Sequence, residues 1–176
     1  MIWAGLDLAA SIQRPSAIAV GESWQSVELF TVYSDEAICE MLAASQAVWV
    51  DAPLSRGEGA FRDCDRLLHK EGIMPLPLTW AAMRKLHERA LLLRQKLPHL
   101  EWRETFPWSV YVWLGAKRSF PKDPALFEAW VREKGYSGRP ASVHEWDALA
   151  CWTVGWLYKK GEARCISGKE GAVWIP

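Results

Sequence analysis

The chain has no apolar run approaching eighteen residues, no closely spaced cysteine pair and no net charge. The first absence excludes a single membrane-crossing helix. The four cysteines, Cys39, Cys64, Cys151 and Cys165, stand far apart without a C-x-x-C pair. That spacing argues against a zinc framework and fits reduced thiols. No basic stretch precedes the apolar run at Ile2, so no secretory leader is expected and the expected setting is cytoplasmic. Lys and Arg number 21, Asp and Glu also 21, for a formal net charge of zero. Such a chain lacks the broad positive field behind non-specific nucleic-acid binding, although a local basic groove stays compatible with it. Its 176 residues fit one domain with a real core, residues 1–176. Twelve tryptophans are many for that length, and most are expected in packing; exposed ones could stack on bases.

The informative stretch is Ala47–Ser55, AVWVDAPLS. Four apolar residues run into Asp51, and Pro53 forbids a longer strand. This reads as a strand buried on both faces that ends in a carboxylate. Ligands of open α/β sheets bind at such strand ends. A carboxylate there needs a cation, a set of donors or a proton.

Three strands are expected before it: Ile2–Leu8, Ser16–Val20 and Gln25–Tyr33, joined as a meander. Gly5 allows a neighbour to approach the first closely. Asp7 is the only charge in the first thirteen residues, and a turn or cap role is the plain alternative for it. Ala9–Pro15 is a polar turn containing Arg14. Ser34 caps a helix running to about Ser45, with Asp35 and Glu36 in its first turn. That helix makes the next strand a parallel partner through a right-handed crossover.

Beyond Asp51, residues 55–97 read as a helical insertion beside the site. Phe61–Lys70 is one helix, with Arg62, Asp63, Asp65 and Arg66 on its polar face. A second is capped at Thr79 and extends to about Leu97, with Met83, Leu86, Ala90 and Leu93 as its seam. It also carries Arg84, Lys85, Arg89, Arg94 and Lys96, either a solvated face or a track for backbone phosphates. Leu100–Phe106 is a fifth strand in which Glu104 interrupts an apolar face, by function or by pairing with an arginine. Trp108–Leu114 is a short helix. Ala116–Lys122 is a basic loop, and Asp123-Pro124 opens a helix to about Lys134. Ser142–Tyr158 is apolar nearly all round and therefore buried, yet it carries Asp147, with His144 one turn earlier. Glu162–Ser167 and Ala172–Ile175 form a closing hairpin.

Asp7, Asp51 and Asp147 thus come from two strand ends and a buried helix. Three carboxylates at about 4 Å repel by several kcal/mol per pair at an effective dielectric near 20, and a divalent ion reverses that sign. Oxygen-only ligands suit Mg²⁺ or Mn²⁺. Two such ions about 4 Å apart can activate water and stabilise the leaving oxygen of a phosphodiester.

Seven motifs sharpen the reading: GLDLA at 5–9, VDAPL at 50–54, R-x-C-D at 62–65, PLT-x-x-x-M at 77–83, ETFP at 104–107, HEWDALAC at 144–151 and the closing EGAVWIP. Together they resemble the family called domain of unknown function 429, predicted nucleases of the ribonuclease H-like fold. HEWDALAC also resembles the last-helix acid motif of Holliday junction resolvases. The resemblance implies an α/β fold, a mixed five-stranded sheet with its first three strands antiparallel and helices flanking it. It implies Asp7, Asp51 and Asp147 as metal ligands and DNA or RNA as substrate. Glu104 matches an acid of the family motif; it or His144 would orient water or shuttle a proton.

Two other readings stand beside the nuclease. One is a module that binds nucleic acid or protein and kept the sheet without the chemistry, which suits the zero net charge. The other is a nucleotide phosphotransferase, since G-x-D at the end of a first strand also occurs in actin-like sugar kinases; no second copy of that half is present here.

Overall fold

The computed structural model describes residues 2–116 and 124–176. In chain order its elements are β1 (Trp3–Asp7), β2 (Ser16–Gly21), β3 (Glu28–Val32), α1 (Asp35–Leu42), β4 (Ala47–Val50), α2 (Asp63–Lys70), α3 (Ala81–Lys96), β5 (Glu101–Glu104), α4 (Trp108–Trp113), α5 (Ala125–Glu133), α6 (Val143–Lys159), β6 (Arg164–Ser167) and β7 (Ala172–Ile175). Five strands form one sheet in the order β3-β2-β1-β4-β5. The first three pair antiparallel, and β1, β4 and β5 run parallel. This is the mixed, helix-flanked sheet that the resemblance implied.

Strand alternation sorts the core into two layers. On one face Trp3, Ala17, Ala19, Ala47 and Trp49 pack beneath α4, α5 and α6. On the other, Ala4, Leu6, Ile18, Val48 and Val50 pack on Ile38 and Leu42 of α1 and on Ala90 and Leu93 of α3. A smaller cluster joins Cys64 and Leu68 of α2 to Val173 and Ile175 of β7. The tryptophans mostly pack: Trp24 meets Trp130, Trp152 and Trp156 edge to face. Trp80 and Trp113 stay about half exposed.

Several ends fall elsewhere than the pattern suggests. β3 starts at Glu28, not Gln25, because Ser23 and Ser26 close a turn first: Val27 N–H donates to Ser23 C=O at 3.0 Å. α1 ends at Leu42 rather than near Ser45. The Ser34 and Ser142 caps form as expected, their hydroxyls accepting from the N–H of Ala37 and Glu145. α3 instead begins after Trp80, and Thr79 does not cap it. The basic loop and Asp123 lie outside the described residues, and Pro124 stands at the start of α5. All four cysteines are free. Among the described residues, no helix is long and apolar enough to cross a membrane.

Candidate active site

The site begins with a glycine. A methyl group at Gly5 would overlap Ala148 C=O and the Trp152 backbone, so only glycine lets α6 lie this close to β1. Farther along, the rings of Trp3 and Trp49 close over Gly155. The order of contacts, Gly155 on Trp3, Trp152 and Ala148 on Gly5, then His144 on Asp7, makes α6 run antiparallel to β1. The N-terminal end of α6 therefore reaches the C-terminal end of β1. His144 Nδ1 lies 2.7 Å from Asp7 Oδ2. Asp147 follows one turn later on α6 and is buried, with 7% of its surface exposed.

Register brings in Asp51. Leu6 pairs with Val50, and Asp51 N–H donates to Leu6 C=O at 2.8 Å, so Asp51 is the next position along, beside Asp7. Tyr111 of α4 completes the corner: its hydroxyl donates to the Asp147 carboxylate. Burial first, then the charge of Asp147, pushes the Tyr111 hydroxyl well above its ordinary range, so it stays a donor.

These residues suit a hard divalent cation in donor type and in backbone placement. The side chains are otherwise engaged, Asp7 with His144 and Asp147 with Tyr111. Among the described residues, no three His, Cys, Asp or Glu side chains already converge as a metal cluster.

Glu104 lies on the other side. It pairs with Val50, so alternation points it to the α3 face, opposite to Asp7. Arg62 grips it with two contacts of 2.8 and 2.5 Å, and Leu54 N–H donates to it at 2.9 Å. Arg62 also binds Asp65 through Nε and Nη2, at 3.0 and 2.8 Å. All three are buried. Burial alone would lower the Arg62 pKa; hydrogen bonds to Glu104 and Asp65 outweigh it and lift it above its ordinary value. The pairing with an arginine, one of the two roles open to Glu104 in the sequence, is the one this geometry carries. The polar face expected for Arg62 and Asp65 is corrected too: both are core residues at the start of α2.

The triad and its neighbours hold the loop after Asp51. Glu104 takes Leu54 N–H, and His87 of α3 donates from Nδ1 to Pro53 C=O at 2.8 Å. A cavity of about 130 Å³ beside Asp51 is walled by Arg62, Asp65, Met83, Leu86, Glu104 and Phe106. From the chain's end, Glu170 accepts from the N–H of Glu58 and Asp63, and Asp63 accepts from Lys169 and Glu170. The basic face of α3 also changes on inspection. Arg89 is buried, bound to Asp35 and to the carbonyls of Ala9 and Tyr33.

Residue periodicity missed Arg62, His87, Arg89 and Tyr111, because each has partners on other elements, and it missed Asp65 with Arg62. The one local signal was the three-residue spacing of Arg62 and Asp65, whose carboxylate accepts Arg62 N–H as a helix start.

Solved structures place this architecture. Thermus thermophilus RuvC aligns over 92% of this chain and 98% of its own, at 15% identity and a TM-score of 0.53. The chain shares the RuvC fold. T. thermophilus RuvC in complex with Holliday junction substrate aligns over 92% of this chain and 97% of its own, at 16% identity and a TM-score of 0.53. At such identity the likeness to RuvC is one of fold. No family model and no curated protein matches the chain, so the likeness to domain of unknown function 429 rests on its motifs.

Proposed function

We propose that this protein is a metal-dependent nuclease hydrolysing phosphodiester bonds of DNA or RNA. The observation that carries the reading is His144 Nδ1 at 2.7 Å from Asp7 Oδ2 at the end of β1, with the Asp51 backbone bonded to Leu6 on the neighbouring strand and Asp147 one turn along α6. The RuvC solved with a Holliday junction is a nucleic-acid-bound protein of the same fold and adds support.

Asp7, Asp51 and Asp147 would hold Mg²⁺ or Mn²⁺, which supplies Lewis-acid activation of water and stabilisation of the leaving oxygen. The remaining work falls to side chains. His144, 45% exposed and hydrogen-bonded to Asp7, is placed to accept or return a proton at Nε2. Tyr111 holds Asp147 in one orientation by donating to it. Glu104 anchors the loop that carries Asp51 and takes no part in the proton traffic.

The test is a panel of labelled single-stranded, duplex and four-way-junction DNA, and of RNA, with Mg²⁺ or Mn²⁺. The wild type should cleave at least one substrate. Asp7→Asn should lose cleavage by a factor of about a hundred or more, the scale for removing a group that acts on the reacting atoms. A panel left intact by the wild type would sink the proposal.

A second reading has its own support. No three-ligand cluster is formed among the described residues, which fits a module that binds nucleic acid or protein without cutting. Under that reading the wild type binds the panel and leaves it whole with either ion.

A further inference from the structure

The surface beside His144 carries charge that the proposed chemistry leaves unused. A groove of about 430 Å³ runs between the Ala9–Pro15 turn after β1 and the first turns of α3. Arg14, Lys85 and His144 line it, together with Ala9 and Ala81, and among the described residues no carboxylate does. His144 belongs to both places, since its Nδ1 meets Asp7 at 2.7 Å. The groove is thus continuous with the acid corner.

The two cations differ from six arginines that carboxylates hold. Arg56, Arg103, Arg132 and Arg164 each face a carboxylate. Arg62 and Arg89 are buried in ion pairs. Arg14 and Lys85 are exposed, and neither side chain has a carboxylate partner among the described residues. Two cations held near one groove repel each other, a cost that a bound anion removes. The wall they share is rigid. Arg89 reaches from inside α3 to Ala9 C=O at 2.7 Å, so the turn bearing Arg14 and the helix bearing Lys85 keep their spacing. α3 also opens with neither a side-chain cap nor an acidic residue in its first turn, which adds to the positive field there.

We infer that this groove seats a backbone phosphate of the nucleic-acid strand, adjacent to the bond positioned at Asp7, with Arg14 and Lys85 as its cations. The inference rests on the nuclease reading and gives it a strand path. It divides the basic face of α3 by role. Lys85 contacts the strand, Arg89 braces the fold, and Lys96 turns to Glu36 at 3.8 Å. Arg94, nine residues beyond Lys85, lies about 14 Å farther along the helix axis and off the path.

The experiment measures affinity for a labelled DNA strand, its duplex and a four-way junction by fluorescence anisotropy in EDTA, between about 50 and 200 mM salt. Compared are the wild type, Arg14→Gln/Lys85→Gln, the charge-keeping Arg14→Lys/Lys85→Arg, and Arg94→Gln. The neutral double variant should lose about 0.7 to 0.9 of salt slope per cation removed, and about tenfold or more in affinity near 0.1 M salt. The charge-keeping pair should restore most of both, and Arg94→Gln should match the wild type. A neutral double variant with the wild-type slope on every substrate overturns the inference and leaves the nuclease reading standing. A wild type that binds none of the three also overturns the inference and leaves the nuclease reading to the cleavage panel. A mononucleotide that competes as well as the strand overturns the strand path alone.

Discussion

The two faces of the sheet handle buried acid in different ways. On the α6 face, Asp7 and Asp147 meet His144 and Tyr111, partners that are polar and carry no fixed charge. On the α3 face, Glu104 and Asp65 share Arg62, whose charge is permanent. Acids of similar burial therefore differ in what they can still do. A carboxylate locked to a guanidinium has its lone pairs spoken for and serves the fold. A carboxylate held by an imidazole or a phenol can exchange that partner for an ion.

The largest effect should come from breaking the locked face. Glu104→Ala strands a buried guanidinium opposite Asp65 and should cost about 3–5 kcal/mol of unfolding free energy, read by urea titration. A loss below about 1 kcal/mol would mean that the pair is not the anchor described. Next is the open face. Mg²⁺ or Mn²⁺ at a hundredfold excess over its dissociation constant should stabilise the wild type by about 2.7 kcal/mol, seen as a rise in melting temperature. Asp51→Asn should lose that rise, and Asp65→Asn should keep it, even from a lower baseline. Loss of the rise in both variants would erase the distinction between faces.

The smallest effect lies at the edge of the locked face. Burial pushes the Asp63 carboxyl up, but the N–H groups of Glu170, Lys169 and Cys64 outweigh this and hold it below its ordinary value. A lowered folded value means stability that is present above the ordinary value, about 3.9, and lost as pH falls through the folded one. The difference in melting temperature between the wild type and Asp63→Asn should accordingly shrink from pH 6 to pH 3. A difference that stays constant would show that these bonds do not depend on the charge.

What the sequence revealed follows the same division. The strands and their antiparallel-then-parallel pairing were legible because alternation, the Ser34 cap and the run into Asp51 are local signals, and the family resemblance implied the five-stranded sheet. Gly5 was legible because a glycine inside a strand asks for a close neighbour, and α6 is that neighbour. Asp7, Asp51 and Asp147 stood out as charges in apolar surroundings. The interior of α2 was hidden. Arg62 and Asp65 look like a solvated face until Glu104, 42 residues after Arg62, arrives to pair with them. Arg89 was hidden likewise, its acceptors lying on the turn after β1, on α1 and just after β3. β5 reads longer than it is because Thr105, its N–H still on Val50 C=O, turns its other edge to a lone bridge with Trp174.

That bridge has a consequence for how copies of the chain behave toward one another. β5 is an outer strand, and an outer strand with free amide groups invites pairing between molecules. Here Thr105 donates its hydroxyl to Trp174 C=O at 2.7 Å, and Arg103 lies across the rings of Trp49, Tyr158 and Trp174. The hairpin β6–β7 thus shields a margin that would otherwise be adhesive, and a chain deprived of it should self-associate before it loses its sheet.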